Sequence, residues 1–172
     1  MSCYLCKSDQ YSQRAGSVRD NSNIDILECS DCGLVYLSSL NHIQDGHYEE
    51  SGMHGDEVPD IDNWLKETEF DDNHRFEFIK AKITNKTILD FGCGIGGFLD
   101  KSKQSADKVA GIELEIALQT SFKKRGLNVF LNLSAAKENN QKYDIITAFH
   151  VVEHLQDPKS ILKDLSELLA GG

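Results

Sequence analysis

The sequence lacks a long apolar run and contains only two prolines and one tryptophan in 172 residues. No stretch approaches the roughly 20 consecutive apolar residues that span a bilayer, which argues against a membrane-spanning helix. The N-terminus, MSCYLCKSDQ, lacks a basic segment followed by an apolar one, so we expect no secretory signal. With 40% apolar and 27% charged residues, the composition is typical of a soluble globular protein, which we expect in the cytoplasm.

Basic residues are also scarce, because 18 lysines and arginines face 28 acidic residues, giving a net charge of −10. The acidic excess is concentrated in residues 41–75, where eleven acids accompany only Lys66 and Arg75. Residues 1–40 and 76–172 are close to neutral. Proteins that bind nucleic acids normally present a basic face to the phosphates. The charge pattern therefore argues against a nucleic-acid partner.

Four of the five cysteines form two Cys-x-x-Cys pairs, namely Cys3 with Cys6 and Cys29 with Cys32. In a reducing compartment we expect ligands or core residues and not disulfides. Each pair can form a turn that places two thiolates at the spacing of tetrahedral zinc, and two such turns complete a shell of four cysteines. Because thiolates fill every ligand position, we predict structural Zn²⁺ in a small β ribbon over residues 1–40. Its hairpin strands are expected at residues 24–28 and 34–37, which are an alternating and an apolar segment. Four free cysteines in a small β unit are the alternative.

Residues 41–75 are predicted to form a polar, acidic connector whose tyrosines and histidines can cap a pocket. His42, His47 and His54 lie close in sequence, but their irregular spacing argues against a metal site. Order is expected to return near Trp64. A helix that packs on the following domain is indicated there by Phe70, Phe76, Ile79 and Ile83.

From Thr87 onward, apolar segments alternate with helical patterns, which predicts an α/β fold with a doubly wound parallel sheet. The four predicted strands are residues 87–91, 108–113, 127–131 and 143–149. Helices are expected from near Gly96, over residues 115–126, and from Pro158 after a capping Asp157. The expected apolar stripe of the last helix is Ile161, Leu162, Leu165, Leu168 and Leu169.

The segment ILDFGCGIGGFLD, residues 88–100, contains a glycine-rich turn that allows two interpretations. Gly92, Gly94 and Gly97 fit the GxGxxG pattern of a dinucleotide site. Asp90 followed by Gly92, Gly94 and Gly96 fits DxGxGxG instead. A carboxylate at the end of a buried strand is costly unless it serves a cationic ligand. S-adenosylmethionine carries a sulfonium and an ammonium group, whereas Asp90 would repel a pyrophosphate.

Two further groups of polar residues follow predicted strands. Glu113 ends the second strand, where its carboxylate can accept hydrogen bonds from a ribose diol of either cofactor. His150, Glu153 and His154 follow the fourth strand, beside the first, where the reactive end of the ligand is expected.

Residues 87–172 resemble class I S-adenosylmethionine-dependent methyltransferases in the segments ILDFGCGIGGFL, VAGIELE and YDIITAFHVVEHLQDP. The resemblance implies a Rossmann-like sheet that binds S-adenosylmethionine, with NAD as the alternative cofactor. The residues implied to bind the cofactor are Asp90, Gly92, Cys93, Gly94, Gly96, Glu113, Leu114, Asn132, His150 and Val151. Asn132 stands near the place where family members tend to carry an acidic residue that meets the adenine amine. His150 and His154 are the candidate bases, with a structural role as the alternative for His154.

A zinc ribbon joined to such a domain resembles bacterial methyltransferases of small molecules, including ones that act on sugars in surface-polysaccharide or natural-product pathways. The predicted partner is therefore a small-molecule methyl acceptor. The alternatives are an RNA or protein methyltransferase with a zinc module, and a non-catalytic ribbon protein with a vestigial cofactor fold. Family members usually continue past a segment like LLAGG into a fifth strand, so we expect residues 76–172 to be an incomplete domain, truncated after the fourth strand and the following helix.

Overall fold

The computed structural model of the chain describes residues 2–18, 21–39 and 60–171. These residues belong to two compact units. One contains the described residues up to 39 together with residues 154–163, and the other contains residues 60–153 and 164–171. The predictions for His42, His47 and His54 lie outside the described residues. Of the predicted connector and pocket cap, residues 41–59 also lie outside them, whereas residues 60–75 are described.

The N-terminal residues form an antiparallel sheet in the order β1-β2-β3. Its strands are β1 Tyr11–Arg14, β2 Ile26–Cys29 and β3 Val35–Leu37. The sequence predicted β2 and β3 but not β1, which is exposed along its whole length and therefore shows no alternation of apolar and polar residues. The small core of this sheet consists of Cys3, Leu27, Cys29 and Tyr36.

The second sheet is parallel and has the order β6-β5-β4-β7 among the described residues. Its strands are β4 Thr87–Phe91, β5 Lys108–Ile112, β6 Asn128–Phe130 and β7 Ile145–Thr147. All four were predicted, although β6 and β7 are shorter than expected. In β4, Ile88, Leu89 and Asp90 are buried, as expected of a strand with a neighbour on each side. The predicted Rossmann-like arrangement is confirmed.

Helices precede, connect and follow the strands of the parallel sheet. They are α1 Ile61–Ile83, α2 Gly97–Ser102, α3 Gln119–Lys124, α4 Leu133–Glu138 and α5 Pro158–Ser166. Helix α3 ends as predicted, since Gly126 has φ +63° just beyond it. Helix α4 was not predicted from the sequence, because it has only six residues and a single buried side chain, Ala136. None of the described helices is both long enough and apolar enough to cross a membrane.

Helix α1 begins at Ile61, where the Asp60 carboxylate accepts a hydrogen bond from the backbone N–H of Asn63. The predicted contacts of Phe76, Ile79 and Ile83 are confirmed, because all three are buried in the main hydrophobic core with Ile88 and Phe98. The predicted contact of Phe70 is wrong, since this side chain is 79% exposed. Phe70 precedes Phe76 by six residues, so the two side chains point to different faces of the helix.

Helix α5 starts as predicted, because the Asp157 carboxylate accepts a hydrogen bond from the backbone N–H of Ser160 at 3.1 Å. Leu165 is buried, as the apolar stripe required. Leu168 is also buried, but it lies in the turn beyond Ser166, where α5 ends earlier than the predicted stripe. Leu162, assigned to the same stripe, is 47% exposed, so the buried stripe is narrower than predicted.

Candidate functional site

The site lies where the strand order of the parallel sheet reverses. Strand β4 pairs with β5 on one side and with β7 on the other. The connections from β4 to β5 and from β5 to β6 lead away from β7, so the crevice between the carboxyl ends of β4 and β7 is a topological switch point. Ligands of open α/β sheets bind at such a crevice.

Asp90 occupies the switch point and is 3% exposed. Its carboxylate Oδ1 accepts a hydrogen bond of 2.6 Å from the hydroxyl of Thr147, the residue opposite it in β7. Burial raises the pKa of Asp90 to about 7, although the Thr147 hydrogen bond and the positive charge of Arg75 oppose the rise. The buried carboxyl group is thus poised to change its charge near neutral pH.

The glycine turn follows β4 directly and depends on left-handed backbone conformations. Gly92, Gly94 and Gly96 have φ values of +72°, +51° and +83°. The N–H groups of Gly92 and Cys93 both donate to the carbonyl of Ile112, which fastens the turn to the end of β5. The turn therefore follows the DxGxGxG register from Asp90.

The atoms that a Cβ would meet show which glycines of this segment pack against other side chains and which face open space. A Cβ at Gly92 would collide with Val151, and one at Gly97 would collide with the carboxylate of Asp72 in α1. A Cβ at Gly94 would meet nothing within 4 Å. Gly97 is therefore a packing residue between α1 and α2, whereas Gly94 faces open space where a ligand can approach the backbone.

Glu113 directly follows β5 and also supports the turn. Its Oε2 accepts a hydrogen bond of 2.8 Å from the N–H of Gly94, and its Oε1 accepts one of 3.1 Å from the N–H of Glu115. Burial raises the pKa of Glu113, while these backbone donors oppose the rise. The carboxylate is thus held beside Gly94 by two main-chain donors.

His150 lies at the carboxyl end of β7 in an unusual conformation, with φ +56°. Non-glycine residues adopt the left-handed region at a cost of about 1 kcal/mol or more, and such positions cluster at functional sites. Its Nδ1 lies 3.6 Å from the Glu153 carboxylate, and the side chain is 76% exposed. An open cavity of about 300 Å³ adjoins it, lined by Asp71, His74, Arg75, Phe78, Phe149 and His150.

Arg75 is a residue of this site that the sequence did not reveal. Its guanidinium lies 5.5 Å from the ring centroid of Phe149, and its Nη1 lies 3.4 Å from the buried Asp72 carboxylate. Its charge also opposes the rise in the pKa of Asp90 that burial causes. One feature of the sequence could have indicated Arg75. It is the only arginine in residues 41–75, where eleven acids are accompanied by a single lysine, Lys66.

The remaining residues that the sequence predicted for the site lie in different surroundings. Cys93 is buried within the turn, and burial raises the pKa of its thiol well above its usual range. Leu114 is half-buried beside Glu113. Asn132 caps α4, since its Oδ1 accepts the N–H of Ala135 at 2.9 Å. His154 ends a one-turn helix, Val152–His154, and belongs to the other compact unit. The cofactor roles of the predicted residues and the catalytic roles of His150 and His154 stay predictions.

The four ribbon cysteines form a separate group with the geometry of a metal centre. Their Sγ atoms all lie within 4.8 Å of one another. The Cys3 and Cys32 sulfurs are 3.6 Å apart, and those of Cys6 and Cys29 are 3.5 Å apart. A tetrahedron with zinc–sulfur bonds of about 2.3 Å has sulfur–sulfur edges of about 3.8 Å. Lys7 and Gly33, each directly after a pair, have positive φ, as two equivalent turns require. The predicted four-cysteine ribbon is confirmed.

Comparison with known proteins identifies the second unit. Residues 61–172 match the model of a family described as methyltransferase domain. The ubiquinone biosynthesis O-methyltransferase of Hydrogenovibrio crunogenus is 38% identical over 109 residues, which cover 57% of this chain and 45% of that protein. The enzyme of the same name from Serratia proteamaculans is 26% identical over 125 residues, covering 63% of this chain and 52% of that protein.

One solved structure with the same fold is the magnesium protoporphyrin IX methyltransferase of Synechocystis PCC 6803, crystallised with SAH. The TM-score is 0.52 at 14% sequence identity, and the superposition covers 76% of this chain and 68% of the other. At this identity the likeness shows the fold alone. The chain spans about half the length of the curated relatives that it matches.

Proposed function

We infer the function from one premise: this chain belongs to the family of methyltransferase domains. We propose that its parallel sheet binds S-adenosylmethionine and that the protein transfers the methyl group to a small-molecule acceptor. The observation that carries this proposal is the buried Asp90 carboxyl group at the switch point, directly before a glycine turn that faces open space at Gly94.

The residues around Asp90 fit the amino-acid end of S-adenosylmethionine. That end carries an ammonium and a carboxylate group and lies next to the sulfonium. Asp90 supplies a buried acceptor and negative charge for the cationic groups. Arg75 supplies a guanidinium, which suits a carboxylate because its donors form a planar fork. A site for pyrophosphate would not place a carboxylate at this position.

The residues after β5 fit the nucleoside end. Glu113 holds its carboxylate beside the turn through the N–H groups of Gly94 and Glu115. A carboxylate has about four lone-pair sites, so both oxygens keep the capacity to accept from the hydroxyls of a ribose. We assign Glu113 to the ribose diol and the open side of Gly94 to the approach of the cofactor to the backbone.

When bound, S-adenosylmethionine supplies a methyl group on an activated sulfonium. The protein then has to orient the acceptor and remove its proton. His150 stands at the carboxyl end of β7 beside the cavity, and its Nδ1 lies 3.6 Å from the Glu153 carboxylate. We propose that His150 accepts the proton of an acceptor hydroxyl.

The acceptor is proposed to be a small molecule that is methylated on oxygen. The relatives described above, which are ubiquinone biosynthesis O-methyltransferases, support this choice for the part of the chain that matches them. The prediction of a sugar, surface-polysaccharide or natural-product acceptor stays a prediction.

Calorimetric titration of the zinc-loaded protein tests the cofactor assignment. Binding of S-adenosylmethionine with no heat from NADH is the expected result. Binding of NADH in place of S-adenosylmethionine would contradict the proposal, since Asp90 would then tolerate a pyrophosphate.

The Arg75→Gln variant is expected to bind S-adenosylmethionine about tenfold or more weakly, because it removes one charge-assisted contact to the cofactor carboxylate. The same variant should bind 5′-methylthioadenosine, which lacks the amino-acid part, as the native protein does. Arg14→Gln, which removes an exposed arginine of the ribbon, is the charge-matched control. Equal weakening for both ligands would show that Arg75 does not meet the carboxylate.

The affinity for S-adenosylmethionine is expected to rise between pH 6 and pH 8. Asp90 has a pKa of about 7 because of its burial, and only its ionised form attracts the cationic cofactor. Below that pKa, the affinity should change by up to about tenfold per pH unit. Calorimetry at pH 6, 7 and 8 measures the effect, and an Asp90→Asn variant should show a flat profile. A flat profile in the native protein would exclude Asp90 as the titrating group.

The raised pKa of Asp90 also determines how the stability of the cofactor-free protein changes with pH. The folded-state pKa of Asp90 lies above the ordinary value of 3.8, so the folded protein holds a proton that the unfolded chain releases. The resulting stabilisation is complete below pH 3.8 and is lost as the pH rises through about 7.

A further inference from the structure

Arg125, directly after α3, connects three separate parts of the second unit through its guanidinium. Its Nη1 lies 2.6 Å from the Asp100 carboxylate in α2, and its Nε donates to the hydroxyl of Ser121 at 3.2 Å. Its Nη2 donates to the main-chain carbonyl of Ile95, inside the glycine turn. The side chain is 19% exposed, so these contacts are largely shielded from water.

The contact with Ile95 reaches a part of the turn that the hydrogen bonds from β5 do not hold. The N–H groups of Gly92 and Cys93 are held by Ile112, and the N–H of Gly94 is held by Glu113. These bonds hold the first half of the turn. The second half is held by Arg125 and by the hydrogen bond from the N–H of Gly96 to the carbonyl of Cys93. Gly96 also packs there against the side chains of Phe122 and Leu127.

The turn needs such support because of its composition. Its three glycines with positive φ have more conformational freedom in the absence of contacts than any other residue would have. A loop that is held in its binding conformation loses less entropy when a ligand binds, and its affinity is correspondingly higher. A planar guanidinium can hold the Ile95 carbonyl and the Asp100 carboxylate at the same time, which a lysine ammonium does less well.

We propose that Arg125 is a positioning residue for the cofactor site: it keeps the segment Gly94–Gly96 in the conformation that receives S-adenosylmethionine. The inference rests on the proposed function, since it assigns a role at the same site. Asp100 and Ser121 complete the arrangement by orienting the guanidinium.

Hydrogen exchange of the protein without cofactor tests the effect on the turn. In an Arg125→Gln variant, we expect the amides of Gly92, Cys93, Gly94 and Gly96 to exchange about tenfold faster or more. Amides in the centre of the sheet, such as those of Leu89 and Ala110, should exchange at the native rate. Lys124→Gln, which removes the same charge from the neighbouring exposed residue, is the matched control and should leave the turn unchanged.

Binding measurements then test the effect on the ligand. Arg125→Gln should raise the dissociation constant for S-adenosylmethionine about tenfold, with Arg125→Lys between that variant and the native protein. Native exchange rates in the turn of Arg125→Gln would overturn the proposal, and so would native affinity for S-adenosylmethionine. If the native protein does not bind S-adenosylmethionine, the proposed function fails, whereas the exchange experiment still decides whether Arg125 holds the turn.

Discussion

Replacement of Glu113 by alanine is expected to abolish measurable binding of S-adenosylmethionine. The Glu113 carboxylate supports the turn through the N–H of Gly94 and, in the proposed function, accepts both hydroxyls of the ribose. Hydrogen bonds to a charged group contribute about 1.5–3 kcal/mol each, so the loss of two corresponds to a weakening of about 100-fold or more. Calorimetric titration of the variant measures this directly, with circular dichroism to confirm that the fold is retained.

The control variants separate the role of Glu113 from a general effect of charge. Glu138→Ala removes an exposed carboxylate from α4 and should bind the cofactor as the native protein does. Glu113→Ala should also lose 5′-methylthioadenosine, because that ligand retains the ribose, whereas Arg75→Gln should keep it. If Glu113→Ala bound both ligands within a few-fold of the native protein, the ribose would have to be assigned to another group.

The elements that the sequence predicted well are those in which one local rule determines the conformation. The buried strand TILDF was predicted with its observed bounds, Thr87–Phe91, because an apolar run followed by glycines leaves few alternatives. The register of the turn also followed from the sequence, since a carboxylate inside a buried strand needs a partner. The structure adds the partner, the hydroxyl of Thr147.

The features that the sequence did not reveal depend on contacts between distant residues. Arg75 and Arg125 look like ordinary charged helix residues, and only the fold places one near Asp90 and the other on the carbonyl of Ile95. The prediction for Phe70 was wrong for the opposite reason. This aromatic residue was assigned to the core because it lies near the apolar stripe in sequence, but its angle around the helix axis turns it toward solvent. Periodicity gives the face of a helix, whereas the function of a polar side chain depends on what the chain brings opposite to it.

Removal of zinc is expected to unfold the three-stranded ribbon while the parallel sheet stays folded. Apart from Cys3 and Cys29, the buried apolar residues of the ribbon are Ile24, Leu27 and Tyr36 among the described residues, which is too little apolar surface to stabilise so small a unit. Structural zinc contributes about 10–16 kcal/mol of apparent binding energy at pH 7 in small zinc domains. Treatment with a strong chelator should therefore remove the exchange protection of β2 and β3, with native rates retained in β4 and β5.

Single cysteine variants test the same expectation without a chelator. Cys29→Ser alters a buried ligand and should abolish stoichiometric zinc binding together with the ribbon structure. Cys93→Ser makes the same chemical change at the one cysteine outside the group, so it should retain one zinc ion per chain. Persistent protection of β2 and β3 in the zinc-free protein would mean that the hydrogen bonds of the hairpin suffice. The close arrangement of the four sulfurs would then result from the ribbon fold, and zinc binding would not be needed to stabilise that fold.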